Sequence, residues 1–363
     1  MSLASAASVF ANLDRARYEP VPIRIEKDGR WALADKPPAT MVAGDVIEQA
    51  RIEAARPVRE GREVHFVARP SEETILSIDR SSSKGDDVPT AIVTGLGLDV
   101  IFPMLHGPYG EDGTIQGLLE LANKPYVGAG VLASAVGMDK ATMKAVFQAH
   151  GLPIVEHLVV TRHEWRQAPE RVAARVAETV GFPCFVKPVN LGSSVGISKV
   201  AKPSALAAAI DLAARHDRKI IIERGVNARE IEVSVLGNED PIASLPGEIT
   251  FDAEWYDYST KYLEGQSRLT IPAPVSPETT RRLQELAIGA FRAIDCSGMA
   301  RVDFFVERKT DRVLVNEINT IPGFTATSAY AKMWAASGLA YTDLVDRLIE
   351  LALERHQSKG TAG

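Results

Sequence analysis

Cysteine is nearly missing from this chain: Cys184 and Cys296 are the only two in 363 residues. Two are too few for a disulfide framework or a thiolate metal cage, so both are expected as small buried side chains. Positive charge is also in short supply. With 41 Lys and Arg against 47 Asp and Glu, the formal net charge is −6, which offers no electrostatic case for a nucleic-acid partner. The first residues, Met1 to Ser8, lack a basic lead and a long apolar run, and no stretch is apolar enough to span a bilayer. A cytoplasmic protein with no membrane partner is therefore expected. A strand is missing as well: the chain opens on a helical pattern, Leu3, Ala6, Val9, Phe10 and Leu13, where an α/β lobe ordinarily begins with a strand. What is present is 45% hydrophobic and 24% charged, as in a globular protein, and long enough for two or three packed lobes with a cleft between them.

The most informative stretch runs from Met299 to Phe324. Met299 to Val306 and Val313 to Asn319 are β-branched and aromatic runs joined by a polar turn, the pattern of a hairpin. Strict alternation puts Arg301, Asp303 and Phe305 on one face of the first strand, and Val313, Val315, Glu317 and Asn319 on one face of the return strand. Asp303, Glu317 and Asn319 then form an all-oxygen set with open positions, which suits a hard ion such as Mg2+ carrying substrate phosphates. Arg301 beside them could neutralise a developing oxyanion. A lone Glu-x-Asn would more simply be a solvated hairpin face, so the remaining segments must decide.

Several do bear on it. Leu105-His-Gly-Pro-Tyr-Gly-Glu-Asp-Gly113 is a glycine-rich loop between a short apolar strand, 99–103, and a helix, 114–122, with His106 on it. Tyr126 to Gly130 reads as a second strand-to-loop transition. Lys140 opens the next helix, where a cation opposes the helix dipole unless an anion binds. Cys184 to Pro188 is a strand carrying Lys187 into Asn190-Leu-Gly-Ser-Ser-Val-Gly196, after which another strand follows. A Walker or dinucleotide loop would open a helix instead, so kinase-like and Walker-type readings fail. A Gly-Ser-Ser hairpin loop can still cover phosphates with backbone N–H groups, though alone it also reads as a plain turn. Glu223 and Glu230 flank a linker whose backbone could meet an adenine edge and ribose hydroxyls; an ordinary hairpin would look the same. Residues 51–90 are polar and poorly periodic, read as an inserted hairpin and loop. Asp252 to Tyr262 is a long excursion whose Trp255, Tyr256, Tyr258 and Tyr262 suggest a lid. Thr325 to Ser328 leads a helix whose N-terminus suits a carboxylate, and the tail after His356 is expected to fray.

Taken together and in this order, these pieces resemble the D-alanine–D-alanine ligases of the ATP-grasp superfamily across almost the whole chain. The carriers are Leu105-His-Gly with Gly110-Glu-Asp-Gly-Thr114, Met138-Asp-Lys140, Val186-Lys-Pro188 with Gly192-Ser-Ser-Val-Gly196, Tyr256-Asp-Tyr258 with Lys261-Tyr262, Arg301-Val-Asp303, and Asn316-Glu-Ile-Asn-Thr-Ile-Pro-Gly323. Each is weak alone; their conjunction is specific.

The resemblance implies an α/β fold, in part α+β, with three lobes: a Rossmann-like N-terminal substrate lobe lacking its first strand (1–125), a central ATP-grasp lobe (126–240) and a C-terminal metal-site lobe (241–363) with a lid at 252–268. It implies ATP as co-substrate, with Lys140, Lys187, Gly192, Ser194 and Lys261 at the phosphates and Glu223, Val226 and Glu230 at adenine and ribose. Two Mg2+ ions, replaceable by Mn2+, would sit on Asp303, Glu317 and Asn319. Arg301, Ser193 and Tyr262 would be catalytic, and His106 and Ser328 would bind substrate. The implied activity joins two D-alanines through an acyl phosphate for peptidoglycan precursors, in a cytoplasmic enzyme with small-molecule partners that forms a homodimer. Alternatives are a ligase taking D-lactate or D-serine second, or a nucleotide-binding protein without catalysis. Tyr262 argues against lactate, since a histidine there marks depsipeptide formation in the family. Family members also carry a strand, a glycine turn and a glutamate just before the position of Ser2-Leu3, so a native start further upstream is expected.

Overall fold

The computed structural model describes residues 2–26, 28–34, 62–66, 75–80, 91–192, 195–251 and 267–360. Among them lie three antiparallel sheets, each with helices or loops against it. The fold is thus mixed α/β, with strand pairing that is antiparallel within every named sheet.

The largest sheet has six strands in the order Ser267–Thr270, Gly247–Phe251, Ala228–Gly237, Gly298–Glu307 and Val313–Asn319, with Ile242–Ala243 paired beside Ala228–Gly237. One face is apolar. Ile231, Val233, Val235, Ala300, Val302, Phe304, Val313, Val315 and Ile318 are buried there under Leu283, Ala287 and Phe291 of the helix Pro277–Ala293 and Met143 and Phe147 of the helix Lys140–Ala149. Pro277–Ala293 starts cleanly because Ser276 caps it, accepting from the Thr279 N–H, and Pro277 needs no partner for an absent N–H.

The return strand breaks the expected alternation. Asp303 pairs with Glu317 but Phe304 pairs with Val315, so Asn316 is an extra residue, a β-bulge. Without it Val313 and Val315 would share a face with Glu317 and Asn319; with it the two valines turn into the core while both polar side chains stay on the opposite face. The reason is burial: two valines left in water would forfeit roughly 2 kcal/mol each.

A second sheet, ordered His157–Thr161, Lys219–Arg224, Cys184–Pro188 and Ser198–Val200, packs on the helices Pro169–Thr179 and Leu206–His216 through Val160, Val172, Val176, Ile210, Ile220 and Ile222. Gly196, at the far end of the loop expected to cover phosphates, has φ +73°, and a Cβ there would stand 2.8 Å from the His216 ring and 2.9 Å from Pro188. Only glycine turns the chain so tightly there.

The N-terminal region differs most from expectation. Of residues 51–90 the structure describes 62–66 and 75–80: Glu63–Phe66 and Ile75–Arg80 pair as the hairpin expected there, and they are inner strands of a five-stranded meander completed by Ile23–Ile25, Trp31–Leu33 and Ala91–Gly95. Val64 and Ile75 are buried, and the Trp31 and Phe66 rings meet edge-on at 4.8 Å. The parallel pairing expected of a Rossmann-like lobe is limited, among the described residues, to the Ile101–Tyr126 bridge. The final helix also corrects an expectation. It runs from Tyr341 to Gly360 instead of fraying after His356, and Lys359 pairs with Glu120. Arg355 fixes it further, stacking 4.3 Å over the Tyr126 ring and donating to the Tyr126 carbonyl at 3.0 Å.

Candidate active site

Cross-strand register builds the polar face of the large sheet. Glu232, Asp303 and Glu317 lie in one row across three strands, and Ser234, Arg301 and Asn319 in the next. Residues directly opposed on neighbouring strands share a face, so this clusters three carboxylates. Arg301 keeps them together: its Nε and Nη2 donate to Asp303 Oδ1 and Oδ2 at 2.7 Å each, and Nε lies 3.3 Å from Glu232 Oε1. Burial alone would weaken the guanidinium's hold on its proton, but Asp303 and Glu232 outweigh that and push its pKa well up. Asn319 Nδ2 donates to Asp303 Oδ2 at 3.2 Å.

The oxygen set fits a hard divalent ion. Among the described residues no group of three His, Cys, Asp or Glu gathers as a cage of its own. Mg2+ is commonly held by one or two carboxylates completed by substrate phosphates, and Asp303 facing Glu317, with the Asn319 amide oxygen brought round by rotation of its side chain, supplies that arrangement.

Opposite this face stand the lysines. Lys140 is the first residue of its helix, which Asp139 caps by accepting from the Thr142 N–H at 2.9 Å. Its Nζ donates to the Leu191 carbonyl at 2.9 Å, beside Gly192, and lies 3.5 Å from Glu317 Oε2. It therefore sits between the candidate phosphate loop and the candidate metal strand. Lys187 points from the second sheet to Glu223 Oε2 at 2.5 Å, and Lys144 lies 2.9 Å from Glu223 Oε1. Burial would raise the pKa of Glu223, but the two ammonium groups overcome it and hold the carboxyl well below the usual range. Likewise burial pulls Lys187 down, and Glu223, with Glu317 and Glu230 further off, more than restores it. Val226 is half-buried in the linker between Lys219–Arg224 and Ala228–Gly237, and Glu230 faces Phe305 in the large sheet.

His106 joins a third element. Its Nδ1 is 3.1 Å from the Ile321 carbonyl and its Nε2 3.0 Å from Ser5 Oγ, which also accepts from the Phe324 N–H at 3.2 Å. Burial keeps the ring neutral by lowering its pKa, against the Ile321 contact that raises it. Nδ1–H then donates to Ile321 and Nε2 accepts from the serine hydroxyl. Ser2 accepts from the His106 N–H at 3.1 Å and Ser8 from the Ala326 N–H at 3.1 Å, so three serines spaced by three on the first helix tie together the glycine-rich loop and the 321–328 loop. Ser328 ends that loop as the N-cap residue of Ala329–Ala336, its Oγ accepting from the Thr325 N–H at 2.9 Å.

Of the residues expected in the site, the polar sheet face, Lys140, Lys187 and Glu223 are brought into one neighbourhood, and His106 and Ser328 bracket the 321–328 loop. Ser193, Ser194, Lys261 and Tyr262 lie outside the described residues, as do 252–266 of the lid. Two residues were not anticipated. Lys144 is placed by its spacing of four from Lys140, a cue legible in the sequence. Glu111, in the Gly110-Glu-Asp-Gly motif, accepts from the Gly107 N–H at 3.0 Å; burial raises its pKa, while Lys140 is near enough to oppose that.

The family models describing the N-terminus and the C-terminus of D-ala D-ala ligases match residues 1–129 and 146–350 of this chain. The chain belongs to the D-alanine–D-alanine ligase family. A member from Heliobacterium modesticaldum, named D-alanine--D-alanine ligase, is 48% identical over 359 residues, covering 99% of this chain and 92% of its own. One of the same name from Deinococcus radiodurans is 46% identical, covering 98% and 94%. Among solved structures, the D-alanine-D-alanine ligase from Coxiella burnetii is 39% identical with a TM-score of 0.79, covering 99% of this chain and 92% of that one. The VanG D-Ala:D-Ser ligase from Enterococcus faecalis is 32% identical with a TM-score of 0.80, covering 96% and 94%.

Proposed function

We propose that this chain joins two D-alanines to D-alanyl-D-alanine at the expense of ATP, for peptidoglycan precursors. The observation that carries the reading is the facing of Lys140 and the Lys187–Glu223 pair against the Arg301–Asp303–Glu317 row, on an identity of 48% to a named ligase.

A carboxylate is a poor electrophile, so one D-alanine carboxylate oxygen first attacks the γ-phosphorus of ATP; ADP leaves and an acyl phosphate forms. The amine of the second D-alanine, having lost its ammonium proton, then attacks the acyl carbon, and phosphate departs with the bridging oxygen. In this reading Lys140 and Lys187 hold phosphate oxygens, while Glu223, Val226 and Glu230 hold adenine and ribose. Arg301 meets the oxyanion of the tetrahedral intermediate, a contact that matters more as charge develops. Divalent ions on Asp303, Glu317 and Asn319, two by this reading, would neutralise phosphate charge during transfer. His106 and Ser328 bind the amino-acid substrates. Gly192 and Ser194, with Lys261, cover the phosphates, and Ser193 and Tyr262 close the lid, which keeps water from the acyl phosphate.

We also propose three lobes, supported by three separate sheets, with the N-terminal Val9 and Met104 sharing a core with Met299 and Leu344 of the third. The lobes are placed at 1–125, 126–240 and 241–363, with the strand Ala228–Gly237 of the second paired into the large sheet of the third. A cytoplasmic location belongs to the same reading; among the described residues no helix is long and apolar enough to cross a membrane. A homodimer completes the reading; exposed Leu121, Val131 and Leu132 are apolar surface that a second copy could cover. Identities of 46–48% to ligases named for D-alanine, against 32% to one named for D-serine, favour D-alanine as second substrate. Incubation with ATP and Mg2+ should release phosphate with D-alanine and not with L-alanine; release with the L-isomer alone would refute the proposal.

A further inference from the structure

The helix that presents Lys140 carries a second lysine one turn on, for which the reaction as described has no use. Lys144 is 1% exposed, beside Met143 and Phe147 in the core. Burying an ammonium is costly, and a well-packed apolar side chain in its place would often be neutral or stabilising. Its contacts are specific. Nζ lies 2.9 Å from Glu223 Oε1 and donates to the Asn316 carbonyl at 3.1 Å. Glu223, itself 3% exposed, has its other oxygen against Lys187 Nζ. Asn316 is the bulge residue, with no opposite number in the register, and it directly precedes Glu317.

One ammonium thus bridges the carboxylate under a phosphate-binding lysine and the irregular backbone of the metal strand. Remove its charge and Glu223 has one cationic partner instead of two. Lys187 would then be drawn onto both carboxylate oxygens, since a buried ion pair tightens when a competing charge is lost. It would no longer be available to a nucleotide.

We propose that Lys144 is a positioning residue for nucleotide binding: anchored on the Asn316 carbonyl, it shares the charge of Glu223 so that Lys187 can turn to phosphate. The proposal rests on the ATP reading above and goes beyond it in naming a residue that touches neither nucleotide nor amino acid.

The test is a double-mutant cycle. Lys144→Met and Lys144→Gln are made in the wild-type chain and in Glu223→Gln, and binding of a non-hydrolysable ATP analogue with Mg2+ is measured by calorimetry. In the wild-type background the loss of Lys144 should weaken analogue binding about 10- to 100-fold, the worth of a charged hydrogen bond. KM for ATP should rise alike, with KM for D-alanine unchanged within about twofold. In the Glu223→Gln background, where no carboxylate captures Lys187, the same substitutions should cost less than about threefold. Gln at 144 keeps a donor for Asn316, and in the paired neutral variants the Lys187 ammonium is the one charge of the cluster that remains, so folding of each variant is checked by its melting temperature before binding is compared. Equal losses in both backgrounds, or none in the wild type, would overturn the proposal. A wild-type chain that binds no analogue would overturn it together with the ATP reading, whereas a flat cycle overturns it alone.

Discussion

The Lys144–Glu223–Lys187 cluster and the Arg301–Asp303–Glu317 hairpin face each other, yet they handle charge in opposite ways. In the first, the carboxylate side chain is 4% exposed and both oxygens are matched by lysines from two different elements. In the second, the Asp303 and Glu317 side chains are 15% and 27% exposed, and Lys140 stands 3.5 Å from Glu317. The first is compensated within the protein before any ligand arrives. The second keeps carboxylates facing one another and open to solvent, which a cation and its phosphates would relieve. By the reading above, the first region is a pre-neutralised scaffold on which nucleotide would rest and the second an open receptor for its metal and phosphates, and substitutions should separate them.

The largest effect is expected on the receptor side. Glu317→Gln preserves size and removes charge, so turnover should fall by about 10²- to 10³-fold or more while the melting temperature stays near wild type. Near-normal phosphate release in that variant would take the hairpin out of the mechanism. On the scaffold side the pattern should invert. Glu223→Ala leaves Lys144 and Lys187 as buried cations without their carboxylate, and chemical denaturation should register a loss of roughly 3–5 kcal/mol. Unchanged stability would mean the cluster is not compensated as described.

The same contrast gives a pH dependence. The carboxyl of Glu223 is held down by its lysines, so its contribution to stability is present above the usual carboxylate range and is lost only as pH falls far below it. Mild acidification should leave the cluster intact. His106 behaves otherwise: burial lowers its pKa, so the neutral ring's contribution is present above the ordinary histidine value of about 6.5 and is lost as pH falls from there through the folded value. A modest drop in melting temperature over that window should be smaller in His106→Gln, whose carbonyl can still accept from Ser5. An identical pH dependence in the variant would assign it elsewhere.

Legibility followed the same division. The receptor residues stand in short motifs, so strand alternation could bring Arg301, Asp303, Glu317 and Asn319 to one face, while their roles came from the resemblance of those motifs to the ligase family. The bulge at Asn316 could not, because alternation is a local rule and the bulge exists to reconcile two buried valines with two outward polar side chains. Lys144 was passed over because a lysine in a helix ordinarily reads as solvated; only tertiary packing buries it. In the N-terminal meander the 63–66 and 75–80 hairpin was legible, but its joining with Trp31–Leu33 and Ala91–Gly95 into one sheet was not, for a related reason. Its strands are short, three to six residues each, and pairs such as Trp31 with Phe66 become apolar contacts only once the sheet has formed. The spacing of the N-terminal serines did not reveal their role, since their backbone partners lie in loops 104 to 319 residues away.

The measurement closest to the central claim follows one oxygen atom. D-Alanine labelled with 18O in its carboxylate is supplied with unlabelled ATP and Mg2+, and the phosphate released is analysed by mass. Attack by the carboxylate on the γ-phosphorus, followed by displacement at the acyl carbon, leaves the bridging oxygen with phosphorus, so each phosphate formed with dipeptide should carry one 18O. Phosphate free of label, formed alongside D-alanyl-D-alanine or without it, would mean that ATP is cleaved by water or by another route, and would contradict the account.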